Sequence, residues 1–143
     1  MKIFFLFLIT IFCIHAAVEQ QITVISGGSH TVLMNYDSAK NAEGIKRLLY
    51  TEKDGDKWQF FYFCGKDGNE KNKDKCGAWV DENGKKIPNT NNNVKRTEEG
   101  GVISNMLPAD SGKYTRVPEN PVAFRAHLAR VKVSVVELIK GKD

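Results

Sequence analysis

No serine in the chain sits in a G-x-S-x-G elbow. No H-E-x-x-H pair, P-loop or dinucleotide-binding glycine run occurs anywhere in its 143 residues. Histidine is scarce. Apart from His15, there are only His30 and His127, far apart in sequence, and a lone histidine is more simply a structural residue than a catalytic one. The acids Asp54, Asp56, Asp67, Glu70 and Asp74 fall in turns, where carboxylates are solvated, and the lysines beside Asp54 and Asp56 oppose a calcium loop. These absences set the expectation of a protein without enzymatic activity, cofactor or metal. No N-x-S/T sequon occurs, so N-glycosylation is not expected.

Cysteine is also sparse, with three in all. Cys13 belongs to the one dense apolar run, Ile3 to Ile14, which follows the basic Met1-Lys2 and precedes the small residues Ala16 and Ala17. That pattern is a secretory signal peptide over residues 1–17, and the run is shorter than the ~20 residues a spanning helix needs. No second run of that length follows, so stable membrane insertion is not expected. Residues 18–143 then form one domain. Its formal charge falls from +4 to +3 with the loss of Lys2, too small and scattered an excess to imply nucleic acid. Cys64 and Cys76 remain as an even pair, for which a disulfide is the default in an oxidising compartment. Zinc is the rival, but two thiolates without a local histidine pair are a poor ligand set.

What is present is strand-like. Val18 to Ile25, His30 to Tyr36, Ile45 to Thr51 and Trp58 to Cys64 are separated by turn signals, among them Ser26-Gly27-Gly28 and Asp54-Gly55. Trp58, Phe60 and Tyr62 alternate with Gln59, Phe61 and Phe63, so aromatics occupy both faces of one strand. Trp58 reads as a core residue, the alternative being an exposed aromatic binding face. Gly65 to Lys75, with Lys66, Asp67, Lys71 and Lys73, reads as a charged turn stapled at its base by Cys64 and Cys76. Pro88 to Asn93 reads as a solvated polar loop, and Val94 to Thr97 as a short edge strand. Val122 to Lys140 fits both helical and strand spacing; β-branched enrichment favours a long strand.

Val102 to Tyr114, V-I-S-N-M-L-P-A-D-S-G-K-Y, carries the most specific pattern. Ile103 is apolar and Met106 follows it three residues on, Pro108 ends the strand, and Asp110-Ser111-Gly112 turns the chain into Tyr114. This order resembles the E–F corner of immunoglobulin-like domains, in which the tyrosine hydroxyl bonds back to the corner. The resemblance implies an all-β, immunoglobulin-like antiparallel sandwich with Ile103 and Met106 in its core. The usual inter-sheet disulfide is missing: Arg116 stands where its F-strand cysteine would fall, and Met34 is near the position of the other. Arg96 is a candidate partner for Asp110.

The resemblance also implies recognition without catalysis: a secreted module contacting an extracellular protein or glycan. Candidate binding residues are the exposed parts of the aromatic run Phe60 to Phe63, Phe61 and Phe63 first among them, and Lys66, Asp67, Lys71 and Lys73 in the stapled loop. The Asn89–Asn93 stretch is a further candidate surface. The alternative is a sandwich or barrel carrying a small apolar ligand inside.

Overall fold

The computed structural model describes residues 20–33, 42–50, 57–119 and 130–138. The expected signal peptide, Met34, the Asp54-Gly55 turn, His127 and most of the ambiguous segment before Val131 lie outside these residues. Among the described residues are nine strands: β1 (Gln20–Ile25), β2 (His30–Leu33), β3 (Gly44–Leu49), β4 (Trp58–Tyr62), β5 (Trp79–Val80), β6 (Val94–Arg96), β7 (Gly100–Ile103), β8 (Gly112–Val117) and β9 (Val131–Val136). They form a six-stranded sheet in the order β1-β9-β8-β3-β4-β5 and a three-stranded sheet in the order β2-β7-β6. All neighbours are antiparallel except β1 and β9, which run parallel from Gln20↔Val131 to Ile25↔Val136. With β2, β3, β8 and β9 lettered B, C, F and G, β4 and β5 extend the C–F–G sheet as in variable-type domains. The fold is an immunoglobulin-like β-sandwich whose first strand lies beside its last.

The sheets close over Ile45, Phe61, Trp79, Tyr114 and Val133 from one side and Val32 and Ile103 from the other, with Met106 between them. Alternation along each strand separates this inner face from an outer one. Sequence expectation and structure part company on β4. Trp58 is half-buried on the outer face and is not a core residue, whereas Phe61 and Phe63 are 3 % and 4 % exposed and belong to the core rather than to a binding surface. The cause is register: Phe61 pairs with Ile45 on one side and with Trp79 on the other, and both point inward. A strand with aromatics on both faces has little amphipathic signal of its own, and its neighbours decide which set is buried. Trp79 is the fully buried tryptophan, its ring 5.6 Å edge-on from Phe61.

The corner forms as its sequence implies. The Tyr114 hydroxyl donates to the Asp110 carbonyl, and Ile103, Met106 and Tyr114 are fully buried. Pro108 to Asp110 makes a single 3-10 turn, and Asp110 Oδ2 accepts the Leu107 N–H at 2.9 Å. Gly112 serves close approach rather than a left-handed backbone: a Cβ there would lie 2.4 Å from the Leu48 carbonyl oxygen. Ser111 reaches beyond its own turn, its Oγ accepting the Val135 N–H at 2.9 Å.

Asp110 pairs with Arg47, not with Arg96. Arg47 Nη1 donates to Asp110 Oδ1 at 2.8 Å, its Nε donates to Gln59 Oε1 at 2.9 Å, and its guanidinium lies 3.9 Å over the Trp79 ring. Both partners are nearly inaccessible, at 1 % and 6 % side-chain exposure, so hydrogen bonds and the aromatic face must offset a large desolvation cost. The Asn89–Asn93 stretch is a loop with Asn89, Asn92 and Asn93 exposed, as expected, but Asn91 and Asn92 also complete the cluster. Trp79 Nε1 donates to the Asn91 carbonyl at 2.8 Å, and its backbone N–H donates to Asn92 Oδ1 at 3.0 Å. Asn91 Nδ2 donates to the Ser104 carbonyl at 2.9 Å and to Asp110 Oδ2 at 3.3 Å. Thus β3, β5 and the crossings between the sheets meet at one buried polar pin. Burial raises the Tyr114 hydroxyl to about 12 against the lowering pull of Arg47, so it stays protonated and able to donate.

Candidate binding face

The outer face of the six-stranded sheet is built by the residues that the core register leaves over. The antiparallel pairs Leu48↔Trp58 and Lys46↔Phe60 place these side chains on that face together with Tyr62, whereas Thr115, opposite Lys46, is fully buried. Phe60 and Tyr62 stack nearly parallel, with ring centroids 6.3 Å apart and 8° between planes. Trp58 carries cations: Lys46 Nζ lies 4.4 Å from its ring centroid and the Arg130 guanidinium 5.5 Å.

Glu119 holds both cations in place. Lys46 Nζ donates to its Oε2 at 2.9 Å and Arg130 Nε to its Oε1 at 2.7 Å. Burial alone would raise this carboxyl, but the hydrogen bonds from Arg130 and Lys46, aided by their charges, hold it below its ordinary value. Lys113 and Lys132 face one another across β8 and β9 on the same side, and Lys132 Nζ is 5.4 Å from the Tyr50 ring centroid. The face thus combines broad aromatic surface with Lys46 and Arg130, both bonded to Glu119, and with Lys113 and Lys132 toward the other end of β8. Its chemistry is non-covalent: stacking, cation–π contact and attraction for acidic groups. Lys46, Glu119 and Arg130 are absent from the sequence-derived candidates. Lys46 beside Arg47 carries no sequence signal that it alone faces outward, and Glu119 and Arg130 converge only through folding.

Cys64 and Cys76 form the expected disulfide, with a Cα–Cα distance of 5.2 Å. The enclosed loop contains two 3-10 turns, Gly65–Asp67 and Glu70–Asn72, and is anchored rather than projecting freely. Asn69 and Asn72 donate to the two oxygens of Glu43 at 2.8 and 2.9 Å, and Asn72 is buried. Lys66, Lys71 and Lys73 remain exposed, and Asp67 closes the first turn. The loop lies at the C-terminal end of β4, where the Gly77 N–H donates to the Tyr62 carbonyl at 3.0 Å. Burial, and after it the Glu43 carboxylate, pushes the Tyr62 hydroxyl above its ordinary value. An open groove of about 320 Å³ lies beside the disulfide between Phe63, Val94, Lys95 and Arg96, at the rim of the sandwich. Among the described residues no three of His, Cys, Asp or Glu are grouped to hold a metal ion, and no helix is long and apolar enough to cross a membrane.

No family model matches the chain, and no curated protein matches it. Among solved structures, the parallel homodimer structures of the extracellular domains of the voltage-gated sodium channel beta4 subunit align with a TM-score of 0.41 at 14% identity. That alignment covers 87% of this chain and 91% of the other. Those structures explain that subunit's role in cell–cell adhesion.

Proposed function

We propose that the chain is a secreted recognition domain that binds an acidic surface of an extracellular protein through the outer face of its six-stranded sheet. The observation that carries this reading is the set Trp58, Phe60 and Tyr62 on the outer face, bordered by Lys46 and Arg130. Aromatic and arginine side chains supply most of the energy in protein interfaces, because they bury large area at low entropic cost. A disulfide and the secretory character of residues 1–17 support an oxidising, extracellular setting. The carrier reading requires an internal cavity. The groove near Phe63 is instead at the rim, and Trp79, Tyr114 and Met106 fill the space between the sheets.

Cross-linking of the secreted chain on intact cells tests the proposal. The cross-linked partner should be retained by Lys71→Ala/Lys73→Ala and lost with Trp58→Ala or Lys46→Glu. Retention by the face variants with loss by the loop variant would place recognition on the stapled loop. Loss after enzymatic removal of cell-surface glycans would identify a glycan instead of a protein.

A further inference from the structure

Among the described residues the two sheets have four edges, and they are not alike. β5 is two residues long, and its outer side is already occupied by the Val80–Lys86 bridge and by the Ile87 N–H, which donates to the Trp79 carbonyl at 2.9 Å. β6 is three residues long and carries Lys95 and Arg96. β2 has four residues, His30–Leu33. β1 has six, Q-Q-I-T-V-I, with no charge, proline or glycine, and its register with β9 is unbroken by a bulge. Lysine, proline, bulges and short length are the means by which edge strands avoid pairing with other chains, and β1 has none of them. It is also the terminal strand of the larger sheet, paired on one side only among the described residues.

We propose that two copies of this chain associate by antiparallel pairing of their β1 strands about a two-fold axis at Thr23, joining two six-stranded sheets into one. This interaction surface is distinct from the aromatic face. A two-fold axis perpendicular to the sheet keeps inner faces on the same side, so residues of equal parity must meet. Centred on Thr23, the pairing sets Ile22 against Val24 of the second copy, and both of those side chains belong to the inner face. On the outer face it sets Thr23 against Thr23 and Gln21 against Ile25. Threonine pairs and β-branched pairs are favourable cross-strand neighbours, and no like charges meet anywhere along the strand. The pairing also covers Ile25, which is 50% exposed beside its equally open neighbour Val136, at 43%. A charged or peptide-like partner would find no countercharge on β1, whereas a second copy of the same strand matches it at every position.

Sedimentation of the secreted full chain at about 100 µM, above the micromolar dissociation constants typical of small interfaces, gives the first readout. The wild type should sediment at twice the monomer mass. Thr23→Lys, which opposes two ammonium groups at the axis, should give the monomer mass with an unchanged circular dichroism spectrum. Thr23→Cys should yield a disulfide-linked dimer under mild oxidation, while Gln20→Cys, off the axis, should not. Trp58→Ala should leave the dimer intact, which separates this result from the fate of the aromatic face. A monomeric wild type, a dimer that survives Thr23→Lys, or a dimer lost with Trp58→Ala would each overturn the proposal.

Discussion

Removing the Tyr114 hydroxyl leaves the Asp110 carbonyl without its donor inside the sandwich, so Tyr114→Phe is expected to lower stability by about 1 kcal/mol in denaturant melts. The Arg47–Asp110 pair is the larger lever. Arg47→Met strands a buried carboxylate and should cost about 3–5 kcal/mol, as should Asp110→Ala for the stranded guanidinium. Because each single change leaves the other charge buried, the double variant should lose less than the sum, and a thermodynamic cycle measures the difference. His30 has a different signature. It is buried, its Nε2 has no hydrogen-bond partner among the described residues, and burial holds its pKa below the ordinary 6.5. Its neutral form is therefore favoured in the folded state, and the associated stability is fully present above 6.5. That stability is lost as pH falls from there through the lowered folded value. Urea midpoints between about pH 7.5 and 5 should show this slope, and His30→Gln should flatten it.

At the level of elements, the corner was legible because its parts are adjacent: Asp110 and Tyr114 are four residues apart, and one hydrogen bond joins them. The aromatic strand was not. Period-two aromatics on both faces of β4 make either parity equally apolar, and Ile45 and Trp79, which break the tie, come from other strands. Arg47 was opaque for the same reason. A charged residue between Lys46 and Leu48 reads as solvated, and the carboxylate that draws it inward is 63 positions away. Asn91 and Asn92 looked like a solvated run because their partners, Trp79, Ser104 and Asp110, are brought to them only by the fold. The stapled loop, by contrast, was readable from its two cysteines, although its anchorage on Glu43 was not. Opening the Cys64–Cys76 bond, which spans a separation of 12 residues, should cost about 3 kcal/mol on chain-entropy grounds. Glu43→Ala should raise amide exchange between Gly65 and Lys75 even with the disulfide intact, because it removes the acceptor of Asn69 and Asn72.

Across the whole molecule, the two tryptophans report on opposite sides of one sheet. Trp79 is enclosed and Trp58 faces outward, so acrylamide should quench one emission component and spare the other. Trp58→Phe should leave only the shielded component; a remaining signal that is fully quenched would mean that the inner and outer faces are reversed. The sandwich as a whole was legible from strand count and turn spacing, whereas the parallel placement of β1 beside β9 had no local signal. A last consequence follows from the buried ion pair at Arg47 and Asp110. Where immunoglobulin-like domains usually tie strands B and F with sulfur, this chain gathers its crossings around charge, stacking and amide groups, none of which needs an oxidant. Its sheets can close on a newly made chain before any thiol is oxidised, and the later Cys64–Cys76 bond then tightens a peripheral loop on a scaffold that is already assembled. Reductant during folding should therefore leave a folded sandwich whose loop alone is unsealed.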